Sequence, residues 1–283
     1  MAMGRTTISR RTFMGVGAAG AAAWMTSGAW AAADNPFAPL KVGVHSYTLR
    51  KFPFEKAIEI VKSMGVKYLS LNPVHLPLAS PPEKLAAAKK AIADAGLTLM
   101  TCGVIKFDTD EAAARQAFEY AKALELPVIV GNPTADAFGV LDKLIGEYGI
   151  RVAIHNHGPG SIYQTPEDTL EAIKGHDERL GACVDFGHYE RVGVKAADAI
   201  EALWERIYDV HLKDVNKQAK DGHAVVLGKG VIDIPACAAQ LLKLKFEGLV
   251  ALEYEEEADA PQEAMVQSFA YFKETLAKQG GIV

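Results

Sequence analysis

From residue 41 onward, short apolar runs alternate with longer amphipathic stretches, and this alternation restricts the fold more than any other feature of the chain. Apolar runs bounded by turn residues read as strands, and apolar residues recurring at i, i+3 and i+4 read as helices. Strands are expected over residues 42–47, 68–71, 97–104, 128–130, 151–155, 182–185, 207–212 and 249–253. Helical patterns between them cover 54–64, 82–95, 111–124, 166–176, 196–203, 234–244 and 262–278. Gly65, Gly96 and Gly149 stand where a helix should stop in a left-handed residue. Thr165-Pro166 supplies a helix N-cap followed by proline in the first turn. Strands separated by helices run parallel, because each crossover returns the chain to the same end of the sheet. Eight such units in about 250 residues predict an α/β fold, a closed (β/α)8 TIM barrel forming one domain over residues 34–283. An open doubly wound sheet is the alternative, but the glycine-rich phosphate turn after its first strand is missing.

A parallel barrel gathers its active groups at the C-terminal ends of the strands. The fifth strand ends in Ile154-His155-Asn156-His157 and the sixth in Val184-Asp185-Phe186-Gly187-His188. The seventh ends in Val210-His211-Leu212-Lys213-Asp214 and the eighth in Leu252-Glu253-Tyr254-Glu255. Four consecutive strands thus bring an imidazole or a carboxylate to one rim. Asp185 and Glu253 facing each other in a narrow mouth would be costly to keep ionised, and a divalent cation removes that cost. One metal ion held by His155, Asp185, His211 and Glu253 is expected, with two nitrogens and two oxygens suiting Mn, Fe, Co or Zn better than Ca or Mg. Lys213 and Glu255 each follow a ligand by two residues, hence on the same strand face, and are candidate proton-moving groups. His157 shares a face with His155, and His45 and Tyr47 alternate on the first strand, so these three are candidate substrate contacts.

A net charge of -5 argues against nucleic acid as a partner, since phosphate neutralisation needs a basic face. At the N-terminus, Ser9-Arg10-Arg11-Thr12-Phe13-Met14 reads as a twin-arginine export signal, followed by a weakly apolar stretch and a small-residue cleavage site at Ala31-Ala32-Ala33. Residues 1–33 are therefore expected to be a signal peptide recognised by the twin-arginine export machinery, and the mature protein to be periplasmic. Cys102, Cys183 and Cys237 make an odd count with no disulfide framework, and Cys102 and Cys183 lie in apolar strand-like runs, so buried free thiols are expected there. Self-association into a homo-oligomer stays open.

The motifs over residues 41–257 resemble the xylose-isomerase-like sugar isomerase/epimerase superfamily, which also holds endonuclease IV-type repair enzymes. The resemblance is carried by residues 42–50, His155-Asn156-His157-Gly158, Asp185-Phe186-Gly187-His188, His211-Leu212-Lys213-Asp214, Gly228-Lys229-Gly230 and Leu252-Glu253-Tyr254-Glu255. It implies a metal on strands five to eight, with Asp185, His211 and Glu253 matching directly. The family's strand-five glutamate is replaced by His155, as in a His-Asn-His subgroup, which puts a symmetric two-glutamate epimerase mechanism in doubt. His188 resembles the family histidine that touches a substrate oxygen. Asp221-Gly222-His223 has the spacing of an additional metal site in the endonuclease IV branch, but the strand-three histidine of that centre is absent; a polar loop is the alternative reading.

The resemblance implies removal of a proton beside a carbonyl in a small-molecule carbohydrate. The expected enzyme is an isomerase or epimerase of a neutral keto-sugar or oxidised glycoside. A lyase or hydrolase acting by β-elimination, an endonuclease IV-like phosphodiesterase and a non-catalytic sugar-binding barrel are the alternatives. The apolar loop 72–78 reads as a lid, a partner contact or ordinary packing.

Overall fold

The computed structural model describes residues 35–280. The twin-arginine signal and its cleavage site, residues 1–33, lie outside the described residues. The chain runs β1 (Lys41–His45), a 3-10 turn (Ser46–Leu49), α1 (Phe54–Ser63), β2 (Tyr68–Leu71), α2 (Pro82–Asp94), β3 (Thr98–Phe107), α3 (Glu111–Ala123), β4 (Val128–Pro133), α4 (Phe138–Tyr148) and β5 (Arg151–His155). It continues through α5 (Pro166–Ile173), β6 (Leu180–Asp185), α6 (Phe186–Arg191), α7 (Ala196–Leu203), β7 (Ile207–Leu212), β8 (Asp214–Val215), β9 (Ala224–Val225), α8 (Ile234–Lys243), β10 (Leu249–Leu252) and α9 (Gln262–Lys278).

Eight strands close in the order β1-β10-β7-β6-β5-β4-β3-β2, all parallel, which is the expected (β/α)8 barrel. The closing seam pairs Val42 with Val250 and Val44 with Leu252, all four buried. Full burial of side chains of this size contributes about 1.5–3 kcal/mol each. The remaining strands β8 and β9 form a small antiparallel hairpin after β7.

Local sequence signals set the ends of the helices. Thr165 and Asp168 form a reciprocal capping box at α5, Asp168 N–H donating to Thr165 Oγ1 at 3.3 Å and Thr165 N–H to Asp168 Oδ2 at 2.8 Å. Gly149 ends α4 at φ 70°, and Gly65 and Gly96 take the same left-handed conformation, as expected. The three cysteines are free and buried. Among the described residues no helix is long and apolar enough to cross a membrane.

Two boundaries beside the site differ from expectation, and loop 72–78 takes the ordinary-packing reading among those expected of it. β1 stops at His45, because the chain turns at once into the 3-10 segment; Tyr47 lies on that turn, half-buried, with Arg50 4.8 Å over its ring. It does not alternate with His45 on a strand. The segment after Asp185 is helical, and the Asp185 carboxylate caps it by accepting His188 N–H at 2.8 Å. Loop 72–78 is packed down: Asn72 N–H donates to Ser46 Oγ at 2.8 Å, and buried His75 sits between Ser46 Oγ and the Leu49 carbonyl, both at 3.1 Å.

Candidate metal centre

The ends of β5, β6 and β7 and the residue after β10 bring His155, Asp185, His211 and Glu253 together. One ligand atom from each lies within 4.8 Å of all the others, and all four residues are buried. His155 Nε2 stands 3.0 Å from His211 Nδ1 and 3.7 Å from Asp185 Oδ2. His211 Nδ1 stands 3.1 Å from Glu253 Oε2 and 3.8 Å from Asp185 Oδ2. Four donors about 2.1 Å from a central ion in a tetrahedral array would be roughly 3.4 Å apart, so the spacing fits a first-row divalent ion. Asp185 Oδ2 is buried, and its nearest charged partner is the Lys213 ammonium at 3.1 Å. Two carboxylates and two imidazoles also give the charge that such an ion neutralises.

Two further sets of donors lie close enough to hold a cation: His155, His157 and His188, and His155, Cys183 and His211. Neither carries a carboxylate, and the first has the Arg191 guanidinium 3.4 Å from His188 Nδ1. The four-residue set is the one whose charge matches a divalent ion.

The other expected residues surround this cluster in three ways. Lys213 is buried, and its Nζ lies 3.1 Å from Asp185 Oδ2, 2.9 Å from Glu253 Oε2 and 2.7 Å from Glu255 Oε2. Burial opposes its charge, but these three carboxylates hold the ammonium well above the usual lysine range. Glu255 is partly exposed and reaches the mouth. His157 and His188 are half-buried, with ring centroids 5.2 Å apart, and His157 Nδ1 is 3.4 Å from His155 Nδ1. Burial lowers the affinity of both for a proton, His188 to about 4, so they enter the mouth as neutral imidazoles. His45 lies beneath: fully buried, its Nε2 is 3.7 Å from Glu253 Oε1, its Nδ1 is 3.0 Å from Ser70 Oγ, and its ring is tilted onto His211 at 4.4 Å. Burial, then the neighbouring His211, brings its pKa down to about 3. It braces ligands from below, at a position separate from Tyr47.

Asp221 and His223 are not gathered to the centre. Both are exposed on the β8–β9 connection, Asp221 pairing with Lys217 at 2.6 Å and His223 N–H donating to Asn216 Oδ1 at 3.0 Å.

A family model of xylose isomerase-like TIM barrels matches residues 58–275. The chain belongs to that family. Its relatives include an inosose dehydratase of Glaesserella parasuis, 31% identical over 141 residues, which are 44% of this chain and 47% of that protein. The chain thus spans about half the length of that relative. Among solved structures, the IolI protein with a bound zinc atom superposes with a TM-score of 0.70 at 17% identity, covering 85% of this chain and 99% of that one. The 3-keto-D-glucoside 4-epimerase YcjR of E. coli gives 0.68 at 18% identity, covering 83% and 99%. At these identities the structural likeness is one of fold.

Two residues of this xylose isomerase-like barrel have roles that sequence reading did not assign. Asn156 ties β5 to β6: its Oδ1 accepts Asp185 N–H at 2.7 Å and its Nδ2 donates to the Asp185 carbonyl at 3.1 Å. Asp214 accepts the N–H groups of Val215, Gly228, Gly230 and Ile232 at 2.9–3.2 Å. A Cβ on Gly230 would stand 2.1 Å from Asp214 Oδ1, which is why glycine is needed there. The Gly-Lys-Gly stretch is therefore a wrapped loop around a buried carboxylate. The motif Lys213-Asp214 was the signal, but its second half is architectural.

Proposed function

We propose that this protein is a divalent-metal-dependent enzyme that removes a proton beside the ketone of a neutral keto-sugar or cyclic polyol and then eliminates a β-oxygen substituent. The observation that carries this reading is the asymmetry of the mouth. Opposite Glu253 stands His155, whose Nε2 faces the cluster, so a second carboxylate for two-sided proton exchange is missing. The inosose dehydratase relatives support a carbohydrate substrate and an elimination.

A bound divalent ion supplies positive charge against the oxygen that gains negative charge as the proton leaves. The chain's own groups perform the transfers. Glu255, at the mouth, takes the proton from the carbon next to the ketone. The electron pair left behind forms the C=C bond as the bond to the β-oxygen breaks. Lys213, kept protonated by its three carboxylates, gives a proton to the departing oxygen. The 2.7 Å Lys213–Glu255 contact then returns the proton from Glu255 to Lys213 and restores both. His157 and His188 hold substrate hydroxyls as neutral hydrogen-bonding groups.

The twin-arginine segment supports a periplasmic site of action, where unphosphorylated substrates are the fitting class. The exposure of Asp221 and His223 counts against a multi-metal phosphodiesterase. Metal-loaded protein should be incubated in D2O with a 3-keto-glucoside and with an inosose, and followed by NMR and ultraviolet absorbance. An unsaturated ketone with loss of the β-substituent is expected. A deuterated epimer without unsaturation would replace elimination by epimerisation, and no exchange with either ketone would overturn enediolate chemistry.

A further inference from the structure

One layer below the ligands, inside the barrel, lies a carboxylate that the reaction does not use. Asp209 precedes His211 by two residues on β7, is fully buried, and neither of its oxygens has a hydrogen-bond partner. A buried carboxylate left in that state costs several kcal/mol unless something is arranged to meet it. Two other orphaned polar atoms lie in the same region. His211 Nε2, the ring nitrogen turned away from the ligand cluster, is one, with only the Cys183 thiol beside it, and the buried Thr101 hydroxyl, which neighbours Asp209 without a well-formed hydrogen bond to it, is the other. His211 Nδ1 is the nitrogen that faces His155, Asp185 and Glu253, so Nε2 must carry the proton when the ring is a neutral ligand.

We propose that Asp209 is the positioning residue for the ligand His211, receiving the Nε2–H of that ring through one buried water shared with Thr101. A metal-bound histidine ordinarily donates its second N–H to a carboxylate, a carbonyl or water, which fixes the tautomer and the ring plane. A water between these groups would have the three polar neighbours it needs, accepting from His211 Nε2–H and donating to Asp209 and Thr101. Cys183, the other group beside the ring, is a buried free cysteine, and a thiol is a weak acceptor. Asp209 sits among Thr101, Cys102, Cys183 and His211, so no basic side chain competes for it.

This inference rests on the metal reading above, and the test separates the two. Metal-free wild type, Asp209→Leu, Asp209→Asn and Thr101→Val are titrated with Zn²⁺ against a chromophoric chelator and with Co²⁺ by visible absorption, and the melting temperature of each is read with and without metal. Asp209→Leu should bind Zn²⁺ about 10- to 100-fold more weakly. Its Co²⁺ spectrum should change, and its metal-induced rise in melting temperature should shrink while the metal-free value holds or increases. Asp209→Asn, which keeps an acceptor oxygen, should recover most of the affinity, and Thr101→Val should lose less than Asp209→Leu. Wild-type affinity and spectrum in Asp209→Leu would overturn the role of Asp209 alone. A lower metal-free melting temperature with unchanged affinity would also overturn it, by showing a structural role. A wild type that binds neither ion would overturn the metal reading itself, and this inference with it. If Asp209→Leu does not fold, the Asn and Val variants carry the same comparison.

Discussion

Strands β5, β6 and β7 end in His155, Asp185 and Leu212 beside His211, and Glu253 follows β10, whereas β2, β3 and β4 end in Leu71, Phe107 and Pro133. One half of the barrel mouth gathers charge and the other contributes nothing to the ligand cluster. His75 and Tyr120, in the second half, are also buried, but they are neutral and locally matched: His75 bonds Ser46 and Leu49, and Tyr120 Oη donates to the Leu76 carbonyl at 3.0 Å. The contrast shows two ways of keeping polarity inside a barrel. These neutral groups are satisfied by neighbours, while the ligand half packs carboxylates against imidazoles and the Lys213 ammonium, a charged set that a divalent ion would join. Changes in the neutral half should act on stability, and changes in the ligand half on metal affinity and turnover.

The largest expected effect comes from Asp185→Asn. It removes a buried charge from the centre, and breaking a buried ionic set costs about 3–5 kcal/mol, or roughly 100- to 5000-fold in metal affinity. Isothermal titration with Zn²⁺ or Co²⁺ measures it, and turnover should vanish with occupancy. His155→Ala should weaken binding less, because a neutral ligand is lost rather than a charge; unchanged occupancy would remove His155 from the ligand set.

Lys213→Met should come next. The variant leaves Asp185, Glu253 and Glu255 without their shared ammonium, so the metal-free protein should lose about 3–5 kcal/mol of stability. With metal bound, turnover should still fall by about 100- to 10,000-fold, since a general acid is gone. Denaturant unfolding and initial rates separate the two effects. Wild-type turnover would show that Lys213 is only a structural counter-ion.

Asp214→Ala tests the wrapped loop. Hydrogen bonds to a charged acceptor contribute about 1.5–3 kcal/mol each, partly recovered by water, so a net loss of about 3 kcal/mol is expected. That corresponds to a melting temperature lower by about 6–12 °C in a domain of this size. Metal affinity should stay near wild type.

How much of this was legible in sequence follows from which contacts are local. His155, Asp185, His211 and Glu253 could be read because each ends an apolar run, and a parallel barrel brings all such ends to one rim. The thiols' burial followed from the same runs. Lys213 and Glu255 could be placed near the ligands but not weighed, because their exposure depends on the 2.7 Å contact between them. His45 could not be read as a brace under Glu253, nor Asn156 as the clamp on β6, because those contacts join residues far apart in the chain. Asp185 concealed the start of α6, since a residue that both ends a strand and caps the following helix reads as one more strand end. Tyr47 was misplaced because the hydrophobic alternation of β1 continues past the point where the backbone turns.

The smallest effect belongs to the neutral half and is a matter of pH. Burial lowers the His75 pKa below its ordinary 6.5, two backbone carbonyls opposing the shift. The unfolded chain therefore binds a proton at this residue before the folded protein does. Stability from His75 is complete above pH 6.5 and is lost progressively as the pH falls from there toward its lower folded value. His75→Gln keeps a hydrogen-bonding side chain that does not titrate. Its melting temperature should therefore lie slightly below that of wild type at pH 7.5 and approach or cross it by pH 5. The difference between the two proteins isolates His75 from the histidines of the metal half, which are common to both. Parallel curves across that range would show that His75 is protonated equally in the folded and unfolded states. Turnover at pH 7.5 should be unchanged, because Ser46, Leu49 and His75 fasten the loop on the side of the barrel that supplies no ligand.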